Sequence, residues 1–112
     1  MSLYAEYLKE REEIETIEDE KGFLTYKIKD GNFWIYDCFV SENERRKANA
    51  RRYYNEAFNI ALNSDCNELY TTVFVSTNGW EISLKSLIKE GFKIIKTQND
   101  KILLKIEVSK EV

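Results

Sequence analysis

The sequence predicts one α/β domain in which a mostly antiparallel sheet contains a central parallel β-α-β crossover. Three β-rich runs follow one another within residues 16–40, residues 44–63 show a strong helical period, and a β-branched run spans 69–75. The last strand of the first group, the helix and the next strand are expected to form a right-handed crossover, because parallel neighbours need a long connection. A length of 112 residues fits a single domain, residues 1–112.

The first half of the chain is predicted to form a helix and then an antiparallel meander. Residues 3–13 carry a weak amphipathic helical pattern. The runs 16–19, 22–28 and 33–40 have the composition of strands. Between the last two, Lys29-Asp30-Gly31-Asn32 supplies the positive-φ residues of a tight hairpin turn.

The second half is predicted to hold two helices and three strands. The long helix shows its apolar period at Ala50, Tyr53, Tyr54, Ala57, Phe58 and Ala61. After the strand 69–75, Asn78-Gly79 begins a second helix that runs through residue 90, and Gly91 caps its end. The runs 92–97 and 101–108 are expected to pair as a terminal hairpin.

Composition indicates a packed, soluble domain. Hydrophobic residues make up 43% of the chain and aromatic residues 13%, which excludes a disordered protein. A net charge of -3 and a pI near 5.1 argue against binding nucleic acid through bulk charge. No apolar run reaches the roughly 20 residues of a membrane span, and the N-terminal region is acidic where a signal peptide is basic. We therefore expect a cytoplasmic protein that binds neither nucleic acid nor membrane.

The chain has no histidine, which excludes several kinds of active site. A Ser-His-Asp triad, a Cys-His dyad and a histidine zinc site are impossible, and two separate cysteines cannot supply four thiolates. We expect no metal. Cys38 lacks an evident activator, so we interpret it as a small packed residue and expect both it and Cys66 to stay reduced.

Five cations fall within eight residues at the predicted start of the long helix: Arg45, Arg46, Lys47, Arg51 and Arg52. A helix N-terminus is already positive, so cations there are unfavourable unless an anion lies between them. In open α/β sheets, ligands bind beyond the carboxyl ends of the strands, beside the next helix. The pattern predicts a site for a phosphate-like ligand. The alternative is an ordinary solvated charged face.

The segment Val40-Ser41-Glu42-Asn43-Glu44-Arg45-Arg46-Lys47-Ala48-Asn49-Ala50 resembles the acyl-CoA loop of the GNAT superfamily of N-acetyltransferases. In that family a strand ending in Val precedes Arg/Gln-x-x-Gly-x-Gly/Ala. The segment Ser83-Leu84-Lys85-Ser86-Leu87-Ile88-Lys89-Glu90-Gly91-Phe92 is similar to a later helix of the family. The resemblance covers about residues 22–108. It implies a GNAT-like fold, acetyl-CoA as cosubstrate and transfer of its acetyl group to a primary amine.

The same resemblance implies roles for particular residues. It implies a catalytic carboxylate at Asp37, with Tyr36 in the position of a second acidic residue found in some members. Phe39 and Val40 would offer main-chain groups to the pantetheine arm. The remaining implied cofactor contacts are Arg45, Arg46, Lys47, Ala48, Asn49, Ala50 and Arg51 around the pyrophosphate, and Asn78 and Ser83 near the second helix.

Three positions depart from the family pattern. Ala48 replaces the first glycine of the loop, Leu87 aligns with a proton-donating tyrosine, and Trp80 aligns with an asparagine. These departures support an alternative, a GNAT-fold binding or regulatory module that has lost activity. For the enzyme we expect a small-molecule or protein amine as acceptor, and a homodimer by analogy with small members of the fold. Residues 10–20 are acidic, which favours a cationic acceptor or merely solubilises the chain.

Overall fold

The computed structural model describes residues 2–108, which form three α-helices, one short 3-10 turn and six strands. The helices are α1 Leu3–Glu12, α2 Asn49–Asn63 and α3 Trp80–Lys89. The strands are β1 Glu15–Asp19, β2 Gly22–Lys29, β3 Asn32–Val40, β4 Glu68–Phe74, β5 Lys93–Gln98 and β6 Lys101–Glu107. They build one mixed sheet in the order β1-β2-β3-β4-β6-β5.

The predicted meander is confirmed, because β1, β2 and β3 pair antiparallel in sequence order. The turn between β2 and β3 consists of Asp30 and Gly31, whose φ angles are 54° and 76°. Two successive residues at positive φ match the right-handed twist of the flanking strands, which explains why Asp-Gly stands there. The predicted terminal hairpin is also confirmed, with Asn99 at positive φ in the turn between β5 and β6.

The predicted parallel crossover is confirmed as well. Strands β3 and β4 pair in parallel, and α2 connects them. Strand β6 pairs antiparallel with both β4 and β5, so β4 and β5 run in the same direction, and α3 makes a second crossover over β6. Both crossover helices therefore begin at one edge of the sheet, where β3 and β4 end.

The main core lies between the sheet and the two crossover helices. Tyr53, Ala57 and Ala61 of α2 are at most 1% exposed, and they pack in one cluster with Leu24 of β2 and Leu69 of β4. Helix α1 lies on the opposite face. Its Tyr4 ring contacts Phe23, which neighbours Leu24 and so points away from the main core.

The predicted start of the long helix near residue 44 is wrong. A 3-10 turn spans Glu42–Glu44, and α2 begins only at Asn49. Between them Arg46 and Ala48 both adopt φ 63°, a left-handed conformation that no helix contains. The chain therefore reverses direction between β3 and α2 through a separate loop.

This shift moves part of the basic cluster off the helix. Arg45, Arg46 and Lys47 precede α2, whereas Arg51 and Arg52 lie in its first turn. Ala50, which the apolar period assigns to the core face, is exposed. The other predicted core positions of this helix are buried or half-buried.

Candidate functional site

Strands β3 and β4 pair over a short distance and then separate. Among residues 2–108, their ladder consists of Asn32–Trp34 opposite Glu68–Tyr70. The Trp34 and Tyr70 rings stack at the last pair, with centroids 4.1 Å apart. Beyond this pair, β3 continues to Val40 and β4 to Phe74 without further pairing between them. The two strands thus leave an unpaired gap between them at the end where α2 begins.

A β-bulge in β3 lies beside this gap. Tyr26 pairs with Ile35 and Thr25 with Asp37, so Tyr36 is the extra residue and has no opposite partner. The Asp37 main-chain N–H donates to Thr25 Oγ1 at 3.1 Å. The Asp37 side chain is exposed, and it lies on the face opposite α2 because the next residue, Cys38, packs against the main core.

Cys38 faces the core side of the same gap. Burial raises the pKa of its thiol to about 12, with the Asp37 carboxylate adding to the shift. The thiol therefore keeps its proton at neutral pH and lacks the thiolate that a nucleophilic cysteine needs. This agrees with the interpretation of Cys38 as a packed residue.

Six consecutive main-chain N–H groups, from Arg46 to Arg51, have no hydrogen-bond acceptor within residues 2–108. The 3-10 turn ends with the Arg45 N–H on Glu42 O, and the first helical bond runs from the Arg52 N–H to Ala48 O at 3.1 Å. The donors in between cannot bond within the helix, and the N-cap, Ala48, has no side-chain oxygen to offer them. An anion is the natural partner for such a row of donors.

Asn49 fixes the shape of this loop. Its side chain is buried, and its Nδ2 donates to the Glu44 carbonyl at 2.8 Å while its Oδ1 accepts from Arg52 at 3.0 Å. The amide thus spans the loop from the 3-10 turn to the first turn of α2. The side chain of this predicted ligand residue is engaged within the protein, which leaves its main-chain N–H for a ligand.

The cations do not converge on one point, contrary to the expectation from the sequence. Arg45 Nε donates to the Val40 carbonyl at 3.0 Å, and its guanidinium lies over the Phe39 ring. The other partners are Glu44 for Lys47, Glu90 for Arg51 and Asp19 for Arg52. Within residues 2–108 no side-chain partner is seen for Arg46.

Asp19, Arg52 and Tyr53 form a cluster of polar contacts, called the brace below, that the sequence analysis did not predict. The Tyr53 hydroxyl donates to Asp19 Oδ1 at 2.6 Å, and Arg52 lies 2.8 Å from Oδ2 of the same carboxylate. The Tyr53 hydroxyl and then the Lys21 N–H hold the pKa of Asp19 well below its usual range. Burial, reinforced by the bond to Asp19, raises the pKa of Tyr53 to about 12. The brace ties the end of β1 to the first turns of α2.

The residues predicted at the second helix lie at the same edge of the sheet. Asn78 is exposed just before α3, and the Ser83 N–H donates to Gly79 O at 3.2 Å within the helix start. Leu87 is buried in the main core at 7% exposure, so no polar group from this position reaches the gap.

No protein-family model and no curated protein sequence matches this chain. Solved structures do match. The PaiA N-acetyltransferase from Thermoplasma acidophilum, in complex with coenzyme A, has a TM-score of 0.69 at 17% identity, over 78% of this chain and 53% of that one. The ribosomal-protein-S18-alanine N-acetyltransferase from Escherichia coli has a TM-score of 0.72 at 12% identity, over 100% of this chain and 80% of that one. The anti-CRISPR protein AcrVA5 has a TM-score of 0.69 at 14% identity, over 83% of this chain and 97% of that one.

These similarities confirm the predicted GNAT-like fold. The chain spans about half the length of the Thermoplasma protein. Within residues 2–108 no helix is long and apolar enough to cross a membrane. In the same residues no group of three or more potential metal-ligating side chains comes together.

Proposed function

We propose that this protein is an N-acetyltransferase that transfers the acetyl group of acetyl-CoA to a primary amine. The observation that carries the proposal is the row of unpaired N–H groups from Arg46 to Arg51, located where the gap between β3 and β4 opens. In a fold shared with N-acetyltransferases, such a row suits the CoA pyrophosphate.

The loop has the chemistry to hold a diphosphate. Its donors belong to the main chain, so they are held in place by the backbone of the loop and of α2. Arg46, for which no side-chain partner is seen in residues 2–108, supplies a guanidinium beside them. The ion pairs of Lys47 and Arg51 involve exposed side chains, and exposed pairs contribute at most about 1 kcal/mol, so both cations can exchange a carboxylate for a phosphate.

The pantetheine arm would follow β3. Past Trp34 this strand pairs with no residue of the described part of the chain on the β4 side, and an extended ligand can add to such an edge through main-chain hydrogen bonds. The Val40 carbonyl already accepts a hydrogen bond from Arg45, so we assign the main-chain contact with the pantetheine arm first to Phe39. For Val40 to bind the arm as well, the Arg45 side chain must turn away from the Val40 carbonyl.

Asp37 is the residue that would accept the proton of the attacking amine, directly or through water. It lies beside the gap on the face opposite α2, so the amine would approach from that face. Acetyl-CoA supplies the activated acyl group, and nucleophilic attack breaks its carbon–sulfur bond. Leu87 is apolar and buried, so the leaving thiolate would take its proton from solvent. Positioning and charge stabilisation would then account for most of the catalysis.

Calorimetric titration with CoA and acetyl-CoA, followed by acetylation assays over a panel of amines, tests the proposal. We expect both ligands to bind and at least one amine to be acetylated. The variant Asp37→Asn should lower kcat by about 10² to 10⁴ and leave the Kd for CoA unchanged. The matched control Asp30→Asn, in the β2–β3 turn, should change neither.

The second candidate is a binding or regulatory module of the same fold. It is favoured by Ala48 at φ 63° in the loop and by the buried Leu87 at the position of the missing acid. Binding of CoA without turnover of any amine would favour this function, and absence of CoA binding at millimolar concentration would remove the acyltransferase proposal.

The proposal extends to the setting of the protein, which we infer to be a cytoplasmic homodimer acting on a small-molecule or protein amine. The edge strand β5 supports pairing of two copies, because Ile94 and Ile95 are both nearly half exposed along it. Sedimentation velocity of the wild type and of Ile95→Lys tests this. A dimer that the substitution dissociates is expected, and a wild-type monomer at micromolar concentration would contradict it.

A further inference from the structure

A tyrosine of α2 reaches the core side of the gap between β3 and β4. The Tyr54 hydroxyl lies 2.9 Å from Thr71 Oγ1. Thr71 is the first residue of β4 beyond the last pair with β3, and it is 2% exposed. The ring of Tyr54 therefore extends from the helix to the point at which the two strands separate.

Cys38 faces the same space from β3. Cys38 and Tyr54 are both half-buried, and both pack against the main core. The Phe92 ring contacts Tyr54 edge to face, with centroids 6.2 Å apart. The Thr71 hydrogen bond and the Phe92 contact together hold the Tyr54 ring in one position.

We propose that Tyr54, with Thr71 and Cys38, forms the floor of the gap and restricts the acyl group to acetyl or one of similar size. This inference rests on the proposed acyl-CoA function. An acyl chain that enters the gap beside Asp37 points toward the opposite face of the sheet, where it meets the tyrosine ring. Longer chains would have to displace a ring held on two sides, and packed interiors resist such overpacking.

Burial also bears on a second possible role for Tyr54, that of the acid missing at Leu87. Burial raises the pKa of the Tyr54 hydroxyl, which makes it a weaker proton donor than an ordinary tyrosine. We therefore assign Tyr54 no proton transfer. Its contribution is shape and a hydrogen bond to Thr71.

The wild-type protein gives the first test, by calorimetric titration with CoA, acetyl-CoA, butyryl-CoA and octanoyl-CoA. We expect CoA and acetyl-CoA to bind with similar Kd, and butyryl-CoA and octanoyl-CoA to bind about tenfold or more weakly. Equal affinity for acetyl-CoA and octanoyl-CoA would overturn the inference while leaving the acyltransferase proposal intact. Failure of CoA itself to bind would instead contradict the proposed function.

Variants of Tyr54 sharpen the test. Tyr54→Ala should bring the Kd for butyryl-CoA to within about threefold of that for acetyl-CoA, because the floor is removed. Tyr54→Leu serves the same purpose if the alanine variant does not fold. Tyr54→Phe keeps the ring and should keep the discrimination, and the exposed Tyr7→Ala on α1 should behave as the wild type. Unchanged discrimination in folded Tyr54→Ala or Tyr54→Leu would overturn the inference.

Discussion

The two crossover helices begin in similar ways but treat their first N–H groups differently. Both follow strands that end at one edge of the sheet, and both have an N-cap in the left-handed region, Ala48 for α2 and Gly79 for α3. Neither N-cap supplies a side-chain hydrogen bond. At α3, the Trp80 N–H donates to Thr77 O, and the N–H groups of Ile82 and Ser83 both donate to Gly79 O. The start of α3 thus satisfies most of its own donors.

The start of α2 has a row of donors for which residues 2–108 supply no acceptor, and it places cations before and within its first turn. The start of α3 instead carries Glu81 at its second position. A positive-φ N-cap alone therefore does not make an anion site. The difference lies in whether the preceding turn uses the donors and in the sign of the charges around them.

The largest expected effect comes from giving α2 the charge that α3 has. Ala50→Glu places a carboxylate at the second position of α2, as Glu81 stands in α3. Repulsion between this carboxylate and a bound pyrophosphate should weaken CoA binding about a hundredfold. Because a carboxylate near a helix N-terminus is stabilising, the Tm of this variant should not fall below that of the wild type. Calorimetry measures the Kd, and Glu81→Ala should leave it within about twofold. Equal loss from both variants would contradict the comparison.

Substituting each N-cap residue by the residue of the other helix distinguishes an effect on CoA binding from an effect on stability. Ala48→Gly removes a methyl at φ 63° and should tighten CoA binding about threefold to tenfold, since the main chain can then approach the phosphates more closely. Gly79→Ala places a methyl where no atom lies within 4 Å, so only the φ of 82° opposes it. It should cost about 1 kcal/mol and lower Tm by about 4 °C without changing the Kd. A change in Kd from Gly79→Ala would show that α3 takes part in binding.

A smaller effect should follow from removing single cations. Arg46→Ala deletes the one guanidinium of the cluster for which no partner is seen in residues 2–108 and should weaken CoA binding about fivefold at low salt. The loss should shrink as ionic strength rises, because the site is exposed. Lys85→Ala, an exposed cation of α3, is the matched control and should have no effect. A salt-independent loss would argue for a structural role of Arg46.

The smallest expected effect is a change in stability on removing the charge of Asp19, which contacts Arg52 and Tyr53 of α2. The pKa of this carboxyl is depressed in the folded protein, so its stabilisation is present above the unfolded pKa of about 3.9 and is lost as pH falls toward the folded value. Asp19→Asn should lower Tm by a few degrees at pH 7, and its difference from the wild type should narrow below about pH 4. Thermal scans between pH 7 and pH 3 measure this. A difference that is constant over this range would show that the charge of Asp19 is not involved.

Local patterns were enough to predict most of the fold. The Asp30-Gly31 turn and the apolar period at Tyr53, Ala57 and Ala61 depend on nearby residues, and the structure confirms them. The start of α2 was misplaced because residues 44–48 include good helix formers and neither glycine nor proline interrupts them. The left-handed conformations of Arg46 and Ala48 occur in a loop that the Asn49 bond to Glu44 O spans, and residue-by-residue helix propensity does not indicate them.

The site was only partly predictable for the same reason. The loop and its main-chain donors follow from the order of strand, loop and helix. The contact of Tyr54 with Thr71 and that of Tyr53 with Asp19 join residues 17 and 34 positions apart, and no local pattern connects them. Tyr53 and Tyr54 were both expected in the core, but their hydroxyl groups needed partners that only the folded sheet supplies.

The short pairing of β3 with β4 divides the sheet into two antiparallel halves, β1–β3 and β4–β6, joined by three residue pairs. Each half has its own antiparallel ladders, and α2 connects the two halves along the chain. The Trp34 and Tyr70 rings stack on the last of the three pairs, so a substitution of either ring acts directly on the seam between the halves. The indole of Trp34 thus places a natural fluorophore at this seam.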